Sequence, residues 1–241
     1  MFGKKIKRVE DPRFLRGAGK YVDDIHLPNM THAAFVRSPI AHGRIVSTDI
    51  TRALARDKVI AIYFLEDLLP YLSSPVMPLE QASNMLHHSA NPTVLADVEV
   101  RYVGEPIACV IAETPYIAED AASLVNIVYE DLPPSTNYIK ALNPDAVRAH
   151  SNFPDNQVAG FTLSYGNIEE AFHHAKHVFR ETLYQHKGLA HSIECRGVAA
   201  RIESSDNILT VWSATQMAHR AHNIIAEMLG LPEDQLRVLA P

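Results

Sequence analysis

An α/β fold built from mixed sheets, in two parts, is predicted by three features of this sequence. Residues 99–130 read as strand, turn, strand, helix and strand, and residues 196–241 as a hairpin, an amphipathic helix and an opening strand. Between these parts, from about 131 to 157, prolines recur at 133, 134, 144 and 154 with little periodicity, which marks a connection. The expected division is an arm over 1–17, a first unit over 18–130, a linker over 131–157 and a second unit over 158–241.

The first unit opens with THAAFVR (31–37) and RIVSTDI (44–50), partly alternating runs separated by SPIAHG, so two strands and a turn are predicted. Thr51 is placed to cap a short helix. KVIAIYF (58–64) is apolar and β-branched, the pattern of a strand buried on both faces. Residues 66–98 carry Pro70, Pro75, Pro78 and Pro92 and are assigned mostly to loop. EVRYV then predicts a strand, Gly104–Pro106 a turn and IACVIA another strand. Thr114 and Pro115 fit the N-cap and first position of a helix whose inner face holds Ala118, Ala121, Ala122 and Val125, and NIVYE follows as a strand. So short a strand–helix–strand unit implies a mixed sheet with the helix packed on it.

In the second unit, Asn167 and Glu170 resemble a capping box opening IEEAFHHAKHV, and VFRETLYQ (178–185) alternates like a strand. RGVAARIE and NILTVWSA flank Ser204–Ser205–Asp206 as a hairpin. After Thr215, the stripe Ala218, Ala221, Ile224, Ile225, Met228 and Leu229 predicts a helix ended by Gly230 and Pro232, and RVLAP starts a strand. A unit ending on an opening strand reads as unfinished.

Composition narrows the function. Hydrophobic residues make up 47% and charged residues 21% of 241, a globular balance. The net charge of −6, from 28 acidic and 22 basic residues, argues against a nucleic-acid surface. The basic start, MFGKKIKRVEDPRF, leads into no apolar h-region, and no window approaches the roughly 18 apolar residues of a membrane span. Cys109 and Cys195 are too few for a disulfide framework or for the ligands of an iron–sulfur cluster, so a cytoplasmic setting is expected. RGAGKY (16–21) lacks the third glycine and preceding strand of a dinucleotide fingerprint.

Candidate chemistry is sparse. His173 and His177 stand four apart on a predicted helix, with His174 between them, a spacing that can hold a metal; no third ligand is evident, and a surface role is the stronger reading. His219 and His222 stand three apart on the later helix, and His87–His88 lies in irregular sequence. His191 and Glu194 could pair as base and carboxylate, but Ser192 lacks an elbow motif, so Glu194 is expected to bond backbone or pair with Arg196. Gln216 falls where a strand gives way to a helix, a junction whose amides favour an oxo or phosphate group.

Several segments, in order and at consistent spacing, resemble the molybdenum-binding large subunit of the xanthine dehydrogenase/aldehyde oxidase family, especially its carbon monoxide dehydrogenase-like members. They are EDPRFLRGAGKYVDDIHLPNM, AFVRSPIAHGRI, VRYVGEPIACVIAET, IVYEDLPP, ECRGVAA and LTVWSATQMAHRAHNIIAEMLGLPEDQLRVLAP. The resemblance implies an a/b hammerhead domain over 18–130 followed by the truncated start of a molybdopterin-binding domain. It implies that Gln216, in TQMAH, lies beside the molybdenum and bonds an oxo ligand, with no catalytic residue or protein metal ligand assigned in this chain. It also implies that the family's glycine-rich cofactor segment and general-base glutamate follow Pro241, so that the chain is the N-terminal portion of the subunit and inactive alone. A complete enzyme would add oxygen from water to an aldehyde, N-heterocycle or carbon monoxide. FAD and 2Fe–2S clusters would sit on a medium and a small partner subunit. The competing expectation is a noncatalytic freestanding hammerhead module serving assembly or protein contact.

Overall fold

The computed structural model describes residues 3–79, 84–186, 188–203 and 205–241. Its elements are α1 (Asp11–Phe14), β1 (His32–Arg37), β2 (Gly43–Asp49), α2 (Thr51–Leu54), β3 (Val59–Tyr63), α3 (Leu65–Leu68), β4 (Glu99–Val100), β5 (Pro106–Ala112), α4 (Pro115–Ala122), β6 (Asn126–Asp131), α5 (Ile168–His174), β7 (Val198–Ile202), β8 (Leu209–Ser213), α6 (Ala218–Leu229) and β9 (Leu236–Leu239). The α/β class is as predicted.

β5 organises the first unit. It lies between β1 and β3, antiparallel to both, and its alternate side chains serve two cores. Ala108 and Val110 join Val36, Ala53, Ile62 and Ala121, while Ile107 joins Ala96 and Val100 against Ile45 and Tyr129 of the neighbouring sheet. That second sheet runs β4-β2-β6, again antiparallel.

β1 and β2 are the two strands expected, and the turn Ser38–His42 between them carries the chain from one sheet to the other, with the Ser38 N–H donating to the Glu105 carbonyl at 2.9 Å. Gly43 is needed there, because a Cβ would meet Ile40 Cδ1 at 2.4 Å and the Glu130 carbonyl at 3.0 Å. Two expectations change here. First, the both-face-buried strand is β5; β3 pairs with β5 alone among the described strands, which leaves Ile60 and Tyr63 exposed. Second, the strands flanking α4 belong to different sheets, both antiparallel, so the described strands of this unit form no mixed sheet.

The strand expected at 99–103 ends after Val100, where the Arg101 N–H bonds Glu105 Oε2 and Gly104, at φ 92°, turns the chain. Thr51 is the first helical residue rather than the cap. Its N–H is bonded by Asp49 Oδ1 at 2.9 Å. Thr114 does cap α4, its side chain accepting from the Ile117 N–H at 3.3 Å, and buries Ala118 and Ala121 beneath it.

Residues 131–157 form a strap folded back on the first unit. The Leu132 N–H donates to the His42 carbonyl at 3.1 Å, and the Asn156 side chain binds the Ala149 N–H and the carbonyls of Ala141 and Val147.

In the second unit β7 and β8 form the hairpin, although Ser204 of its turn lies outside the described residues, and β9 joins β8 in parallel. This is the one mixed sheet among the described strands. α6 covers it, burying Ala226 against Val211 and Leu236, and ends at Gly230 in the left-handed conformation. The strand expected at 178–185 is absent: no described strand pairs with it, and Phe179, Leu183 and Tyr184 are exposed. Hydrogen bonds that join the units among the described residues include Ser73 N–H to Met228 carbonyl at 2.7 Å, Arg220 Nη2 to Leu79 carbonyl at 2.7 Å, Val22 N–H to Glu194 Oε1 at 3.0 Å, His87 N–H to Val158 carbonyl at 2.8 Å and Gly160 N–H to Met85 carbonyl at 3.0 Å.

Candidate functional site

The crossover from β8 into α6 is built by a short run of local bonds. The Ala214 N–H reaches the Gly197 carbonyl at 3.0 Å, fixing the end of β8 against the chain entering β7. The Thr215 N–H turns back to the Ser213 carbonyl at 2.8 Å, and Thr215 Oγ1 accepts from the Met217 N–H at 3.1 Å. Gln216 is therefore held at a bend between two bonded neighbours, with its side chain exposed. Met217, the N-cap, offers no side-chain acceptor to α6, so the first amides of the helix keep their donor capacity. A side-chain amide beside uncapped helix amides is a donor set suited to anionic or oxo oxygens.

The more buried polar cluster lies elsewhere, under the strap, and sequence reading missed it. His42, 6% exposed, places Nδ1 2.7 Å from the Pro133 carbonyl and Nε2 2.7 Å from Glu99 Oε1, which also accepts from Ser151 Oγ at 3.0 Å. Burial pushes the Glu99 carboxyl up, but the bonds from His42 and Ser151 and the charge of Arg101 outweigh it, so it stays below the usual range. Burial raises Glu105 despite the amides it accepts, and lowers His150 with help from Arg101. Partners separated by some 57 and 91 positions leave no local signal in a sequence.

The nominated histidines do not come together. α5 ends at His174, where Ala175 turns extended, so His173 and His177 share no helix face; the His173 ring meets His174 edge-on instead. The described residues contain no group of three or more His, Cys, Asp or Glu side chains able to hold a metal. Glu194 bonds the Val22 backbone, the structural role expected, and Gly197 sits so close to Val22 that a Cβ would meet it at 3.1 Å. His191 and Ser192 are exposed, and Lys187 of that segment lies outside the described residues. His88 stacks on Phe153 and contacts Asp155 at 3.1 Å, tying the irregular region to the strap. His222 meets main-chain oxygens rather than His219. Both cysteines are free.

Residues 16–133 match the model of the aldehyde oxidase and xanthine dehydrogenase a/b hammerhead domain, and residues 149–241 that of the molybdopterin cofactor-binding domain. The chain is 33% identical to the nicotine 6-hydroxylase large subunit of Paenarthrobacter nicotinovorans over 241 residues, covering 100% of this chain and 29% of that one. It is 33% identical to the carbon monoxide dehydrogenase large chain of Afipia carboxidovorans, covering 99% and 30% respectively. The solved quinoline 2-oxidoreductase of Pseudomonas putida superposes with a TM-score of 0.86 at 32% identity, over 99% of this chain and 30% of that one. The chain thus spans about 30% of the length of these relatives.

Proposed function

From the premise that this chain belongs to the aldehyde oxidase and xanthine dehydrogenase family of molybdenum-enzyme large subunits, we propose that it supplies the first part of a molybdenum hydroxylase site, with Gln216 beside the cofactor. The observation that carries the reading is the β8–α6 junction, which lies within the molybdopterin-binding match and sets Gln216 next to an uncapped helix start. These donors fit the oxygens of a molybdopterin-type cofactor. Such a cofactor, when bound, supplies the two-electron redox chemistry that adds water-derived oxygen to a carbon centre. The chain's own part is to donate from the Gln216 amide, to hold that amide in place through Thr215, and to anchor α6 through the Arg220–Leu79 and Ser73–Met228 bonds.

The boundaries 18–130, 131–157 and 158–241, with the arm over 1–17, are kept as the proposed division. The substrate proposed is a small aldehyde, N-heterocycle or carbon monoxide. Further polypeptide completing the molybdenum domain, an FAD-binding subunit and a 2Fe–2S subunit are the proposed partners, since two free cysteines fit no cluster here. No described helix is long and apolar enough to cross a membrane, and a reducing cytoplasm suits the free thiols.

The test is molybdenum content, with pterin fluorescence after release, on the chain made alone and on the chain made with the remaining part of a family subunit. Stoichiometric molybdenum in the second preparation is expected. Its absence from both would favour the alternative of a noncatalytic hammerhead module, whose contact surface would include the exposed Phe179, Leu183 and Tyr184.

A further inference from the structure

His222, on α6, has a ring ringed by oxygen. Nε2 lies 3.2 Å from the main-chain oxygens of Glu233 and of Leu236, and Nδ1 lies 3.3 Å from Oδ1 of Asn223. The two carbonyls belong to the turn Glu233–Gln235 and to the first residue of β9, so one ring bridges the helix to the strand that returns beside β8. All three oxygens are acceptors. Both ring nitrogens can donate to them only in the imidazolium form.

We propose that His222 is a proton-operated clasp that fastens the crossover between α6 and β9, closed while the ring is charged and loosened when it is neutral. The contact with Asn223 raises the pKa above its ordinary 6.5, slight burial works against it, and the two carbonyls and the Glu233 charge add to the rise. The groups facing the ring are Asn223 from the helix, Glu233 from the turn and the Leu236 carbonyl from the strand. Arg220 and His219 on the helix, Asp234 in the turn and Arg237 in the strand are the nearest further titratable groups along the chain. Loss of the proton turns a charge-assisted bond to two carbonyls into a neutral one and removes the Nδ1 donor that faces Asn223. The sign follows: a raised folded value gives stabilisation that is full below 6.5 and is lost as pH rises through the folded value. β9 is the element affected, because β8 is its one neighbour among the described strands.

The clasp is independent of the cofactor reading and is tested on the whole chain by amide exchange of Leu236–Leu239, corrected for intrinsic rates, between pH 5 and 9. Protection should hold at low pH and then fall by at most about tenfold per pH unit, the limit for one linked proton. His222→Arg should keep β9 protected without pH dependence, and His222→Gln should leave it weakly protected at every pH, while His219→Gln retains the native slope. Should the arginine variant fail to fold, the NMR titration of the His222 ring decides in its place, with a midpoint above 6.5 expected. A midpoint at or below that value, or β9 protection that ignores pH in the native chain, would overturn the clasp.

Discussion

His42 is held between the Pro133 carbonyl and the Glu99 carboxylate, which makes it one of the strap's attachments to the first unit. Truncating Glu99 to Ala leaves a buried ring nitrogen without its acceptor, and the expected cost is about 1–3 kcal/mol in urea unfolding. Because the Glu99 carboxyl is held below its ordinary 4.5, it contributes stability above that pH and loses it as pH falls through the folded value. Glu99→Gln should therefore flatten the acid limb of the stability curve, and an unchanged limb would remove Glu99 from this role. Gly43→Ala should cost about 1–3 kcal/mol by overpacking, since the added carbon meets Ile40 and the Glu130 backbone; Ile40→Ala beside it relieves the side-chain clash but not the carbonyl contact.

Among the elements, those with complete local signals were legible in the sequence. α4 carried its Thr114 cap, Pro115 and alanine face and stands as read; α6 shows its Gly230 stop, and its buried residues are Met228 of the predicted stripe and Ala226 outside it. Thr114→Ala should cost about 1 kcal/mol, measured as a thermal shift. Gly230→Ala should cost at least as much, because its left-handed φ is joined by a Ser73 oxygen 2.8 Å from the added Cβ. What the sequence could not convey was partnership. The runs at 31–37 and 44–50 form strands but in two different sheets, and the run at 178–185 alternates but finds no partner among the described strands. Alternation reports which face of a strand is wet, while sheet membership depends on pairings tens of residues away. The candidate site divides the same way: the strand-to-helix junction around Gln216 was readable, but the oxygens around His222 and the His42–Glu99 pair were not.

For the whole molecule, the distribution of burial separates three packed clusters from a long exposed stretch. The clusters around β5 and under α6 are well packed, whereas Leu163, Tyr165, Phe179, Leu183 and Ile193 stand in solvent. Limited proteolysis followed by mass spectrometry should cut first within 161–193, and first cuts within 106–131 would contradict this distribution. The direct test of the central claim is Gln216→Ala in the chain assembled with the remaining part of a family subunit, with turnover measured per bound molybdenum. A site that loses a donor to a reacting oxygen should slow by roughly 10²–10³-fold while the metal is retained. Native turnover at full molybdenum content would contradict the placement of Gln216 beside the cofactor.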